Sequence, residues 1–237
     1  MIAQTPGKIF LADERGLAES DRFRRYSTFS FGPWAHPHKG PFGRLYGLNE
    51  ETLAGGHALD FTVVEASHVV VIPITGAVAL GSFGQSETTV SVEETTVLTL
   101  PAGSTLRVRN PYNTELVSLL YLWLLADAPV ANSSEQRGSF NSEAIHNQLT
   151  RLLPATANPL PFTVSLGRFA GRQEAIYQLE NPANTVFVFA LAGAFEVESR
   201  LMHEKDGLAL WNVAEIELEA LSNDALILVL EMAPRAA

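Results

Sequence analysis

Apolar and polar positions alternate in short runs along most of this chain. The clearest runs cover residues 46–48, 61–64, 68–74, 77–80, 88–92, 96–100, 106–109 and 116–124. A period of two over four to eight residues is the signature of strands with one face in a core. Turn formers separate the runs, among them Gly55-Gly56, Gly81, Pro101-Ala-Gly103 and Asn110-Pro111. Many short strands at regular spacing predict an all-β sandwich or barrel. The texture changes after Leu125: residues 127–138 read as a polar loop. A helical period then places Ile145, Leu149, Leu152 and Leu153 on one face. Asn141 or Ser142 can cap such a helix, Glu143 suits its positive first turn, and Pro154 ends it. After Pro159 and Pro161 the strand pattern resumes and runs to the C-terminus.

The two strand-rich halves echo one another. "VVVIPITGAVAL" (69–80) is answered by "TVFVFALAGAFEV" (185–197), each an apolar strand that turns at Gly-Ala. Further on, "ELVSLLYLWLL" (115–125) is answered by "ALILVLEM" (225–232). Two matches in the same order point to a duplicated barrel rather than one large irregular β fold. The expected units are residues 1–126, a linker 127–158 with a helix about 142–153, and residues 159–237.

Charge narrows the partners. The 237 residues include 26 acidic and 16 basic ones, a net charge of −10. That balance opposes direct nucleic-acid binding and attachment to anionic membrane, which need clustered Lys and Arg. The small group Arg22, Arg24 and Arg25 reads as a solvated strand end. With no cysteine, thiolate nucleophiles, zinc–thiolate and iron–sulfur sites are out of reach. The N-terminal stretch lacks the apolar core of a signal peptide, and no apolar run is long enough for a membrane-spanning helix, so a cytoplasmic protein is expected.

Few residues suggest chemistry. There is no G-x-S-x-G elbow, P-loop, dinucleotide fingerprint or H-E-x-x-H. His36-Pro37-His38 is the one eye-catching group, since H-x-H on a strand can grip a metal. It sits in "GPWAHPHKGPFG", with three prolines and three glycines in twelve residues, which is the composition of an exposed loop. Loops lack the rigid shell that holds ligands in place. Trp211, Phe187 and Phe189 read as core.

The spacing of turn residues resembles the cupin superfamily. Gly56, five residues, Thr62-Val63-Val64, three residues, His68 and then Gly76 follow its first motif; Pro101-Ala-Gly103 through Asn110 follows its second. A sharper resemblance, to the pirin-related bicupins, rests on "TFSF" (28–31), "FGRLYGLNEETLAGG" (42–56), "ITGAVAL" (74–80) and "NPYNTELVSLLYLWLL" (110–125). It implies two tandem jelly-roll barrels joined by a linker with one α-helix. An ungapped register puts the family's four metal-ligand positions at Thr62, Val64, Leu106 and Val108, none of them an effective ligand. No cofactor is therefore expected. Thr62, Val64, His68, Leu106 and Val108 are expected to line a pocket inside the first barrel, with His68 as its polar anchor. In the second barrel the corresponding positions are Tyr177 and Leu179.

These readings favour a metal-free binding protein, without catalysis, that takes a small apolar molecule or a protein partner; a homodimer is a further alternative. The competing reading is a metal-dependent dioxygenase of the quercetin 2,3-dioxygenase type. It needs an unusual ligand set drawn from His36, His38, His57 and His68.

Overall fold

The computed structural model describes residues 5–81, 86–154 and 159–235. In chain order the strands are β1 (Gly7–Phe10), β2 (Gly16–Glu19), β3 (Phe23–Ser27), β4 (Leu45–Leu53), β5 (Ala58–Thr62), β6 (Ser67–Thr75), β7 (Val78–Gly81), β8 (Thr88–Val90), β9 (Glu94–Leu100), β10 (Thr105–Arg109), β11 (Val117–Leu125) and β12 (Ser134–Ser139). They continue with β13 (Thr150–Arg151), β14 (Phe162–Phe169), β15 (Glu174–Gln178), β16 (Thr185–Ala192), β17 (Phe195–Val197), β18 (Arg200–Met202), β19 (Gly207–Leu210), β20 (Glu215–Ala220) and β21 (Ala225–Met232). The all-β, two-barrel expectation holds, and no helix among the described residues is long and apolar enough to cross a membrane.

One unit spans Arg15–Ser139. Its larger sheet runs β12-β9-β6-β11-β4-β3-β2 and its smaller one β5-β10-β7-β8, every pairing antiparallel. Alternation sorts side chains to the space between them. Val117, Leu119, Tyr121 and Trp123 of β11, Val69 and Val71 of β6, and Leu53 of β4 pack there with Val78, Leu80, Leu106 and Val108 of the smaller sheet. The other unit holds residues 1–14 and 140–237, with sheets β1-β19-β16-β21-β14-β13 and β15-β20-β17-β18. Its core repeats the pattern with Val186, Val188, Phe195, Leu218, Ile227 and Val229. Phe187 and Phe189 are buried as expected, whereas Trp211 is only half-buried. The echoed Gly-Ala turns are equivalent: Gly76 and Gly193 both adopt left-handed backbone, at φ 72° and 73°, between paired positions of the two units.

The structure moves the expected unit boundaries. Strand β1 pairs with β19 and sets Phe10 against Phe187, with ring centroids 5.6 Å apart, so the first 14 residues belong with the C-terminal unit. Residues 127–138 are not wholly a loop, because β12 adds to β9 and closes the first unit's larger sheet. The helix expected about 142–153 is absent. Asn141 makes a turn instead, its carboxamide oxygen accepting the Ala144 N–H at 2.6 Å. Asn147 then takes φ 53°, and Thr150 and Arg151 pair with β14. Ile145, Leu152 and Leu153 are buried and Leu149 packs on the core, so apolar positions at helical spacing serve a turn and a strand edge. Residues 155–158 of the expected linker lie outside the described residues.

Candidate functional site

The register of β5 against β10 decides which residues face the first unit's interior. Phe61 lies opposite Leu106 and Leu59 opposite Val108, while Thr62 pairs with Thr105 and Asp60 with Arg107. Leu106 and Val108 are buried in the core, which puts Leu59 and Phe61 on their inner face. Asp60 and Thr62 look outward, and Arg107 Nη1 meets Asp60 Oδ2 at 3.1 Å. Val63 is fully buried and Val64 is 82% exposed. Thr62 and Val64, expected to line the interior, therefore do not face it; their neighbours Phe61 and Val63 do. In a strand a slip of one exchanges the faces of every side chain. Residues 62 to 68 also fail to share one strand, since β5 ends at Thr62 and β6 begins at Ser67.

His68 is not an anchor inside the barrel. Val69 and Val71 take the inner positions of β6, so His68 points to the opposite face of the sheet. It is buried there, with its Nδ1 2.9 Å from Thr99 Oγ1. Burial, reinforced by the nearby Arg44 cation, pushes its pKa down to about 4, so the ring is neutral at pH 7. His36 and His38 are exposed, and His36 stacks on Trp34 while its Nδ1 accepts the His38 N–H at 3.2 Å. His57 is half-buried in the turn before β5. Among the described residues no three His, Asp or Glu side chains come together as metal ligands, so the set His36, His38, His57 and His68 is not assembled.

What the first unit does assemble is a cleft of about 560 Å³, its walls supplied by Phe31, Tyr46, Phe61 and Trp123. Thr62 and Val64 line it at the exposed side with Asp60 and Glu65; Leu106, Val108 and His68 take no part. The rings of Phe31 and Phe61 each lie 5.9 Å from Trp123, and Tyr46 lies 6.1 Å from it. Tyr46 enters this wall because β4 and β11 slip register between Gly47 and Leu45, and a bulge re-aims the side chain beside it. Its hydroxyl is 2.8 Å from Ser67 Oγ, and burial pushes its pKa up to about 12.

Against these rings sits a charged group that sequence reading missed. Arg25 Nε donates to Glu51 Oε2 at 2.6 Å, and the Tyr121 hydroxyl donates to the same oxygen at 2.5 Å. The guanidinium lies 5.0 Å from the Phe61 ring centroid and 5.5 Å from that of Phe31. Arg25 is 7% exposed and Glu51 1%, so Arg25 is no solvated strand end, although Arg22 and Arg24 beside it are exposed. Burial raises the Glu51 carboxyl, and Arg25 and Tyr121 oppose that shift. Burial, then the Glu51 charge, raises the Tyr121 phenol well above its ordinary value. The available signal was alternation: Phe23, Arg25 and Ser27 fall on the face that Leu53, Glu51 and Asn49 continue.

This donor set does not fit the metal that the family resemblance implies. The inward positions of β5 and β10 are Leu59, Phe61, Leu106 and Val108, with buried Val63 just beyond, and hydrocarbon cannot coordinate. The buried Glu51 carboxylate engages a guanidinium and a phenol through Oε2, and among the described residues no second and third His, Asp or Glu join it to hold a metal. In the other unit Tyr177 and Leu179 pack against the core, and the Tyr177 hydroxyl donates to Glu231 at 2.8 Å.

Residues 162–232 match the family model of the quercetinase C-terminal cupin domain. A search of curated protein sequences finds no match. Among solved structures the fold is similar to YhhW from Escherichia coli, with a TM-score of 0.82 at 16% identity over 98% of this chain and 100% of that one. A second structure of that bacterial pirin, in complex with nickel(II), gives 0.81 at 17% identity, over 98% of this chain and 100% of that one. Quercetin 2,3-dioxygenase from Acinetobacter baumannii gives 0.74 at 15% identity, over 96% of this chain and 79% of that one.

Proposed function

From the premise of a pirin-related cupin fold, we propose that this chain is a metal-free binding protein whose first unit takes a small, flat, largely apolar molecule. The observation that carries the reading is the aromatic cleft beside strand faces that offer no metal donor. Its volume of about 560 Å³ suits a drug-sized ligand. Four aromatic walls supply stacking surface, and their rigidity keeps the entropy cost of binding low. The dioxygenase activity named for the Acinetobacter neighbour needs a metal, and Leu59, Phe61, Val63, Leu106 and Val108 supply no ligand for one. Its reading is therefore the weaker.

Naphthalene tests the cleft directly. An NMR titration is expected to saturate at one molecule per chain, shifting resonances of Phe31, Phe61 and Trp123. Thr62 is exposed at the cleft, so Thr62→Trp fills the space without touching the core; it is expected to abolish binding and leave the melting temperature unchanged. Absence of saturable binding, or turnover of quercetin by metal-supplemented protein, overturns the proposal.

A further inference from the structure

The cleft carries a charge pattern that its apolar walls do not explain. Its described lining includes two carboxylates, Asp60 and Glu65, and no Lys, Arg or His. The two carboxylates differ. Asp60 is neutralised by Arg107, whose Nη1 lies 3.1 Å from its Oδ2. The Glu65 carboxylate has no cation paired with it among the described residues. Hydrogen bonds fix Glu65 beside the aromatic wall. Ser67 Oγ donates to the Glu65 carbonyl at 2.6 Å, so the Tyr46 hydroxyl is the donor in its 2.8 Å bond to Ser67. The carboxylate is near enough to act on that phenol: burial raises the Tyr46 pKa, and the Glu65 charge adds to the rise. The rings favour the same sign of ligand, because an aromatic face attracts a cation within about 6 Å of its centroid. Phe31 and Phe61 each have Arg25 over the ring, at 5.5 Å and 5.0 Å, and Glu51 neutralises that guanidinium at 2.6 Å. Tyr46 and Trp123 have no described cation over theirs. Their planes meet at 56° with centroids 6.1 Å apart, so they make two sides of a corner at the cleft.

We propose that the cleft selects a flat aromatic cation, its charge held by the Tyr46 and Trp123 rings and the Glu65 carboxylate. The inference rests on the cleft being a small-molecule site and names the class of molecule. Apolar walls alone favour a neutral ring, because burying an unpaired charge is costly. Here a cation meets ring faces and a carboxylate, which offset its loss of water. An anion of the same shape meets the unpaired Glu65 and is repelled. Arg107 sits against Asp60 and cancels its charge, so Glu65 carries the selectivity. Glu65 is exposed, and water screens it in the free protein; a bound ring displaces part of that water and strengthens the attraction. The net charge of −10 on the whole chain also draws cations toward it at low salt.

The 1-methylquinolinium ion and 1-methylnaphthalene share shape and differ by one positive charge. Their dissociation constants for the intact protein, measured by NMR titration at low salt, therefore separate the claims. The quinolinium is expected to bind at least about fivefold more tightly, the gain from ring faces and a carboxylate together. Glu65→Gln keeps the size of an exposed side chain and is expected to cut that preference about two- to fivefold. Salt at about 0.5 M is expected to weaken binding of the quinolinium and to spare that of methylnaphthalene. Equal or weaker binding of the quinolinium to the unaltered protein, while methylnaphthalene saturates, overturns the cation class and leaves the cleft reading intact. A preference that Glu65→Gln does not change also overturns it. Failure of both probes to bind overturns the inference together with the cleft reading. The two-probe comparison decides the matter even if the variant does not fold.

Discussion

Arg25 illustrates how a single side chain can be costly and still structurally required. Its guanidinium is withdrawn from water and held by Glu51 and by the faces of Phe31 and Phe61. Removing one partner of such a pair strands a buried charge, so Arg25→Met is expected to destabilise the first unit by about 3–5 kcal/mol in urea unfolding. Arg25→Met with Glu51→Leu removes both charges and is expected to recover most of that loss; a double variant no better than the single one contradicts the pairing. His68 makes a pH prediction. Its pKa is about 4 when folded, below the ordinary 6.5, so the unfolded chain binds the extra proton between those values. That contribution to stability is present above pH 6.5 and is lost as pH falls toward 4, at up to about 1.4 kcal/mol per pH unit. Urea midpoints measured from pH 7 to 4 check it, and the His68→Gln variant is expected to show the shallower slope. At this scale the sequence was legible in kind and misleading in place. The apolar character of the site was visible, but Thr62 and Val64 were placed inside where Phe61 and Val63 belong. Alternation alone does not say where a strand ends and a turn begins.

The segment between Asn141 and Arg151 shows why an element can be misread when its burial is read correctly. Ile145, Leu149, Leu152 and Leu153 recur at helical spacing and do meet the core, yet the backbone turns twice to bring them there. Asn147 is the pivot: it sits at φ 53°, and its carboxamide oxygen accepts the Ala170 N–H at 2.8 Å. Asn147→Ala loses that bond and must adopt a left-handed backbone, at an expected cost of about 2–3 kcal/mol; Asn147→Gly keeps the backbone and is expected to cost less. Thermal unfolding of the two variants ranks them, and an equal loss contradicts the pivot. Strand existence was the easier reading, because alternation and Gly-Ala turns repeat in both halves. The register of β5 was not legible, since it is set by pairing with a strand more than 40 residues away.

The whole chain is two jelly-roll units whose sequence order and spatial membership differ. Strand β1 belongs with β19 although it precedes the entire first unit, and nothing local in GKIF announces a partner at Gly207–Leu210. Deleting residues 1–14 is expected to lower hydrogen-exchange protection at 207–210, where β19 loses its neighbour, and to leave β11 at 117–125 protected. Loss of protection in β11 instead contradicts this assignment. The duplicated architecture was readable from the echoes at 69–80 and 185–197, and the resemblance to pirin-related bicupins pointed to the scaffold. The Arg25–Glu51–Tyr121 group was not readable, because its members meet only when β3, β4 and β11 pair. The central claim is that this scaffold serves binding without a metal. Elemental analysis of the protein purified from medium supplemented with nickel and iron tests it most directly. The account predicts no stoichiometric metal; one equivalent of either ion per chain, retained through dialysis, contradicts it.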